Sequence, residues 1–209
     1  MPPFMGQGMC AGLRDDWNLA WKLALVLDGR ADARLLDTYQ VERRPHVSDV
    51  IDLSMFLGKI ICVPDPEKAR ERDEAFFSGQ VPPPADFPHL TGGILRSGLA
   101  DPAGRAAGLL SPHGQVRRAG VQGRFDDVVG TGFVLIGRGQ QALAGLASPD
   151  GAAAAALRQI GAQAVALVPA GADTGPQGWE DVDGKFLPFM ARHGIEAMLV
   201  RPDFYLYGA

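Results

Sequence analysis

The residues best arranged for chemistry form a glycine-rich run, Pro2-Pro3-Phe4-Met5-Gly6-Gln7-Gly8-Met9-Cys10-Ala11-Gly12, that feeds directly into an apolar helical pattern. Gly6, Gly8 and Gly12 permit positive φ or close approach of the backbone to another group. A helix that starts in such a loop presents free N–H groups and a partial positive charge, which suits a phosphate or an electron-rich ring system. On the glycines alone, an ordinary tight turn is the simpler reading. Cys10 stands beside the helix start, where a thiol can become more acidic; a small buried filler is its plainer role. Asp15, Asn18 and Lys22 form the one polar stripe on that helix. They read either as a solvated face or as support behind the loop. His46, His89, His113 and His193 show no metal-ligand spacing.

The elements that would position this loop are helical. Leu13, Trp17, Ala20, Trp21, Ala24 and Leu27 share one face, and Leu19, Leu23 and Val26 share a second. A helix apolar nearly all round is normally buried on most sides. Asp28-Gly29 should end it. A second helix is expected from about Ala33, with Asp32 as N-cap and Pro45 as a kink or interruption, its periodicity resuming to about Ile61. Pro64 and Pro66 stop it, and a short charged helix follows over Glu67–Phe77.

Beyond Ser78 the composition changes. Val81-Pro82-Pro83-Pro84 is stiff and extended and reads as a linker. The remainder alternates strands (Gln115–Arg118, Phe133–Ile136, Ala164–Val168, Ala197–Val200, Phe204–Tyr207) with helices (Arg124–Val128, Asp150–Gly161, Phe186–His193). That rhythm predicts a sheet with helices on its faces, in an α/β (α+β) chain. The expected division is a helical block at 1–77, a linker at 78–93 and a sheet domain at 94–209.

Composition excludes several classes. The net charge is -4, which gives no electrostatic reason to expect nucleic acid or an anionic membrane as partner. No apolar run reaches membrane-spanning length and no signal peptide is read at the N-terminus. Two cysteines, Cys10 and Cys62, give no disulfide framework, so a cytoplasmic setting is expected.

The glycine run continues through Leu13-Arg14-Asp15 and Asn18-Leu19-Ala20-Trp21-Lys22-Leu23, and in full it resembles the third FAD-contacting motif of class A flavoprotein monooxygenases, which hydroxylate phenolic rings. The family pattern is Gly-Asp-Ala-Ala-His, a spacer, Pro-Pro, then Gly-Gln-Gly-Met-Asn; this sequence starts just after the Gly-Asp portion and carries Cys10 in place of Asn. Leu35-Leu36-Asp37-Thr38-Tyr39 with Glu42-Arg43-Arg44-Pro45 resembles the next family signature. Gly123-Arg124-Phe125-Asp126-Asp127, Gly132-Phe133-Val134-Leu135 and Leu199-Val200-Arg201-Pro202-Asp203 are similar to the C-terminal thioredoxin-like domain of larger members, the 3-(3-hydroxyphenyl)propionate hydroxylases above all.

The resemblance implies a helical arm from an FAD-binding domain, followed by a thioredoxin-like α/β domain. It implies FAD as cofactor, NAD(P)H as reductant and a phenolic small molecule as substrate of the intact enzyme. It places Pro3 near the reactive edge of the flavin, and Gly6, Gln7, Gly8, Met9 and Cys10 along its pyrimidine side, where backbone N–H groups stabilise negative charge. No Gly-x-Gly-x-x-Gly occurs in the sequence, so the 209 residues alone are expected neither to hold FAD tightly nor to hydroxylate. From Ser78 to Ala209 there is no cysteine, which excludes dithiol exchange in the second block. The competing expectation is a non-catalytic thioredoxin-like interaction or dimerisation module. An apolar arm without cover would forfeit on the order of 10 kcal/mol of burial, so self-association or pairing with a separate flavin-domain chain is expected.

Overall fold

The computed structural model describes residues 1–81, 86–95, 106–144, 151–175 and 178–208; Pro82–Pro84 of the expected linker and Asp150, the expected helix start, lie outside them. Helix α1 (Gly8–Leu27) closes at Asp28-Gly29 as expected, with the Arg30 N–H donating back to the Leu25 carbonyl at 2.8 Å. A 3₁₀ turn (Ala33–Leu36) follows, capped by Asp32, whose side chain accepts from the Arg34 N–H at 2.9 Å. Helix α2 then runs unbroken over Asp37–Ile61 with Pro45 inside it, so the expected interruption does not occur. Pro45 and Val41 are both exposed residues, and Pro45 costs the helix the one N–H that would bond the Val41 carbonyl. Helix α3 (Pro66–Phe77) starts where Asp65 caps the Glu67 and Lys68 N–H groups.

The second block is one seven-stranded sheet. Its elements are β1 (Gln115–Arg118), β2 (Val121–Arg124), α4 (Phe125–Val129), β3 (Val134–Arg138), α5 (Gln141–Ala144), α6 (Ala152–Gln159), β4 (Gln163–Pro169), β5 (Gly178–Asp181), α7 (Phe186–Arg192), β6 (Ala197–Val200) and β7 (Leu206–Gly208). The strand order is β2-β1-β5-β4-β3-β6-β7. The central β5, β4 and β3 are parallel, while β1-β2 and β6-β7 flank them antiparallel. Alternation along β3 sends Val134 and Ile136 to one face, with Phe125, Phe186 and Met190 of α4 and α7, and Leu135 to the other, with Leu143 and Leu157 of α5 and α6. Buried Asp181 orients α7 by accepting from the N–H groups of Lys185, Phe186 and Leu187 at 3.0, 3.0 and 2.8 Å.

Strands β2 and β5 and the short α5 have no counterpart in the sequence expectations. Val-Gln-Gly-Arg and Gly-Trp-Glu-Asp are too short and too polar to signal a strand, and pairing alone makes them so.

The helices meet the sheet through charge. Helix α1 turns its polar stripe inward: Asn18 and Lys22 are 0% exposed, while Leu27 is 82% exposed and Leu13, Trp17 and Leu23 also face solvent. The solvated-face reading fails at Asn18 and Lys22, and α1 is not buried on most sides as its apolar pattern predicts. The reason is the partner that the stripe meets. Glu42 of α2 accepts at Oε2 from Asn18 Nδ2 (2.7 Å), Lys22 Nζ (2.9 Å) and Arg201 Nη2 (2.6 Å), and at Oε1 from the Ile94 N–H (2.7 Å). Asp203 accepts from Asn18 Nδ2 at 2.8 Å and from Arg201 Nη2 at 2.6 Å. Two cations and two carboxylates thus balance around one amide. Trp21 seals this cluster: Lys22 Nζ and Arg201 Cζ lie 5.5 and 5.3 Å from its ring, and Phe133 of the sheet meets it edge-on at 5.4 Å.

Removing one member of a balanced buried set leaves an uncompensated charge, which costs about 3–5 kcal/mol. Glu42→Gln is therefore expected to lower the urea midpoint sharply, whereas Arg34→Gln, which breaks the exposed pair with Asp32, leaves the midpoint in place. Equal midpoints for the two variants would remove the network from its structural role.

Candidate functional site

The glycine loop is built on α2. Residues Pro3–Met5 make a 3₁₀ turn closed by the Gly6 N–H on the Pro3 carbonyl at 2.9 Å, and Gly6 takes φ 63°, where a side chain is strained. Ser54 of α2 donates its hydroxyl to the Pro2 carbonyl at 3.0 Å. One helical turn on, Gly58 leaves room for the Phe4 ring; a Cβ there would collide with it. Gln7 is held by Arg14, whose Nη1 donates to Oε1 at 3.2 Å and whose guanidinium lies 5.1 Å from the centre of the Phe87 ring.

The first intrahelical bond of α1 runs from the Ala11 N–H to the Gln7 carbonyl, and no side chain caps the helix. The amides of Gly8, Met9 and Cys10 precede that bond and are left for another partner. Around them the surface is open: Pro3, Gly6, Gly8 and Met9 are exposed, Gln7 and Cys10 half-buried, and a Cβ on Gly6, Gly8 or Gly12 would meet nothing within 4 Å. The six residues singled out in the sequence therefore lie together on one exposed loop–helix junction. The junction thus combines open space over the backbone with N–H groups that have no partner among the described residues. No set of side chains among the described residues gathers to hold a metal ion.

Behind the junction lies a second buried layer that sequence reasoning missed. Arg43 Nε donates to Asp15 Oδ1 at 2.7 Å, tying α2 to the first half of α1. Arg43 Nη1 lies 3.2 Å from His46 Nδ1. Arginine can only donate, so Nδ1 accepts and the ring proton sits on Nε2, within reach of the Pro88 carbonyl (3.1 Å) and the Tyr205 hydroxyl (3.3 Å). Burial, with the charges of Arg43 and Arg14, lowers the His46 pKa to about 4. Burial works to raise the Glu42 carboxyl, but the hydrogen bond and charge of Arg201, joined by Asn18 and Lys22, hold it at about 2. Burial likewise pulls the Lys22 ammonium down against its pairing with Glu42. A sequence signal existed: Asn18/Lys22 and Glu42/His46 each repeat at i, i+4, on helices with little other reason to bury a polar face.

The comparisons with known proteins follow this geometry. The FAD binding domain family matches residues 1–54, which hold the loop, α1 and most of α2, and the HcaD C-terminal domain family matches residues 108–209, which hold the sheet. Along its length the chain is similar to part of the FAD-dependent aromatic-ring hydroxylases. A probable NADH-specific resorcinol 4-hydroxylase of Rhodococcus jostii (strain RHA1) is 35% identical over 213 residues, covering all of this chain and 37% of the relative. A 3-(3-hydroxy-phenyl)propionate/3-hydroxycinnamic acid hydroxylase of Klebsiella pneumoniae (strain 342) is 34% identical, covering 97% of this chain and 39% of the relative. The chain thus spans about two-fifths of the length of the curated relatives it matches. Among solved structures, the OxyS anhydrotetracycline hydroxylase from Streptomyces rimosus superimposes with a TM-score of 0.59 at 26% identity, over 96% of this chain and 37% of that one. Aklavinone-11 hydroxylase in its complex with FAD and aklavinone gives a TM-score of 0.61 at 24% identity, over 99% of this chain and 37% of that one, which speaks for the fold alone.

The His46 environment sets a pH dependence. The unfolded imidazole takes up a proton near pH 6.5, but the folded one resists to about pH 4. The stabilisation is full above pH 6.5 and is lost as pH falls through that window, amounting to about 3 kcal/mol at its end. Urea denaturation at stepped pH is expected to show this loss in the natural chain and a flatter profile in His46→Gln. Parallel profiles would mean that His46 titrates freely. A second outcome concerns the loop: Gly58→Leu is expected to speed amide hydrogen exchange over residues 3–10 without slowing or speeding it in β3 or β4, and unchanged exchange would detach the loop from α2.

Proposed function

We propose that these residues form one wall of the flavin site, together with the C-terminal domain, of a monooxygenase that uses FAD and NAD(P)H to hydroxylate phenolic small molecules. The observation that carries the reading is the open loop–helix junction, with the unpaired amides of Gly8, Met9 and Cys10 fixed by Ser54, Gly58 and Arg14. Bound flavin supplies the redox chemistry with nicotinamide and oxygen. The chain's own part is to offer Pro3 and the backbone of Gly6–Cys10 as a shaped surface, and to place N–H donors where negative charge collects on the ring. Cys10 contributes its backbone, which survives the change from the family's Asn.

The division into a helical remnant at 1–77, a linker at 78–93 and a thioredoxin-like domain at 94–209 belongs to the same proposal. The parallel β5-β4-β3 core with β6-β7 antiparallel beside it supports the thioredoxin-like reading, and the lack of cysteine there favours a packing or assembly role over redox exchange. The exposed apolar residues of α1 support self-association or pairing with a separate flavin-domain chain. The two unpaired cysteines suit a cytoplasmic setting.

On their own, the 209 residues are expected to bind FAD weakly and to leave phenols unchanged in the presence of NADH or NADPH. Flavin fluorescence during titration with the purified chain measures this, with light scattering alongside. Stoichiometric yellow protein would overturn the weak-binding expectation. A monodisperse monomer would overturn the expected association.

A further inference from the structure

Between α1, α6 and the sheet face lies a cavity of about 630 Å³. This is within the range of small-molecule sites, roughly 300–1,000 Å³. Its walls are apolar and partly aromatic: Trp21 from α1, Phe133 and Leu199 from the sheet, Leu157 from α6 and Tyr207 from β7. Ala153 and Ala156 of α6 face it, and their small side chains leave the space unfilled. Arg30, just beyond the end of α1, is the one lining residue with a permanent charge. Its Nη2 donates to the Gln159 carbonyl at 3.1 Å, and among the described residues no carboxylate pairs with it. A guanidinium tethered by one backbone bond keeps further donors for an anion. Tyr207 adds a phenol that has no hydrogen-bond partner among the described residues.

We propose that this cavity binds a flat apolar organic anion, an aryl carboxylate of about two fused rings, with its ring body against the paired Trp21 and Phe133 rings and Leu157 and its carboxylate at Arg30. The class follows from the lining. An apolar cavity with aromatic walls selects a ring system over a sugar or a peptide, and a single unpaired cation selects one acidic group. The site is separate from the flavin-facing junction. Trp21 stands 13 residues along α1 from Gly8, which at the helical rise is about 20 Å. The inference therefore stands or falls independently of the flavin reading. Trp21 also seals the Lys22–Glu42–Arg201 cluster, so an occupant would touch the residue that joins the arm to the sheet.

The test uses 2-naphthoate and its neutral counterpart 2-naphthylmethanol, read by the indole N–H resonances in ¹H–¹⁵N spectra of the full chain. Trp21 lines the cavity, while Trp17, on α1, and Trp179, on β5, report elsewhere. The expected result is a saturable shift of the Trp21 resonance by 2-naphthoate, complete at concentrations of about 1 mM, with Trp17 and Trp179 unmoved. Ala156→Trp, which fills the space, is expected to abolish the shift. Arg30→Gln, at the rim, is expected to weaken 2-naphthoate about fivefold and to leave 2-naphthylmethanol unchanged. No saturable Trp21 shift, a shift that persists in Ala156→Trp, or a response centred on Trp17 would overturn the site. Equal affinity for the acid and the alcohol in the natural chain would overturn its preference for an anion.

Discussion

Glu42 is the residue on which the rest of the structure depends. Its two oxygens are shared by Asn18 and Lys22 of α1, Arg201 beyond β6 and the Ile94 backbone. Arg201 joins the same parts from the sheet side, bonding Glu42 and the Ile94 carbonyl and lying 5.3 Å from the Trp21 ring of α1. The carboxylate stays ionised because its neighbours outweigh the cost of burial, and they stay buried because it is ionised. Hydrophobic contact supplements this bond through Trp21 and Phe133, but the register of helix against sheet is set by charge.

Much of the fold was readable from the sequence. The ends of α1 and α3 follow from Gly29 and from Asp65-Pro66, and β3, β4 and β6 follow from their apolar runs. What escaped was the sense of α1. Two apolar faces and one narrow polar stripe left open whether the stripe was solvated or lay behind the loop, and Asn18 and Lys22 lie inside. The apolar count cannot reveal this, because the partners of the stripe sit in α2 and after β6. The interruption expected at Pro45 failed for a related reason: a proline on the solvent side of a helix costs one hydrogen bond and not the helix. The candidate loop was legible as a string of residues, but the devices that shape it were not. Ser54 and Gly58 carry no signal until α2 is known to lie beneath Phe4.

The arrangement separates two tasks along α1. Its N-terminal end offers unpaired amides at an open surface, where a ring can approach the backbone closely. Its middle is clamped by ions and by Trp21. Under the proposed flavin reading, a rigid middle serves the free end, because donors that stabilise developing charge act best when they need not reorganise. The family matches do not divide along α1: the FAD binding domain family covers all of it and ends inside α2, the HcaD C-terminal domain family begins at residue 108, and the clamp joins the two matched parts.

The long reach of the clamp has a consequence for how the chain acquires its shape. Glu42 and Arg201 are 159 positions apart, and Asn18 and Asp203 are 185 apart. Helices such as α1 and α2 form within about a microsecond from local contacts, but closing a loop of that size waits on the sheet that carries Arg201. Any helix formed before then has its charged stripe hydrated and its apolar faces bare. Orientation is thus a late event, decided when the sheet's Arg-Pro-Asp turn arrives and the charges on both sides lose their water together. Until then, the chain has its helices but not yet an inside.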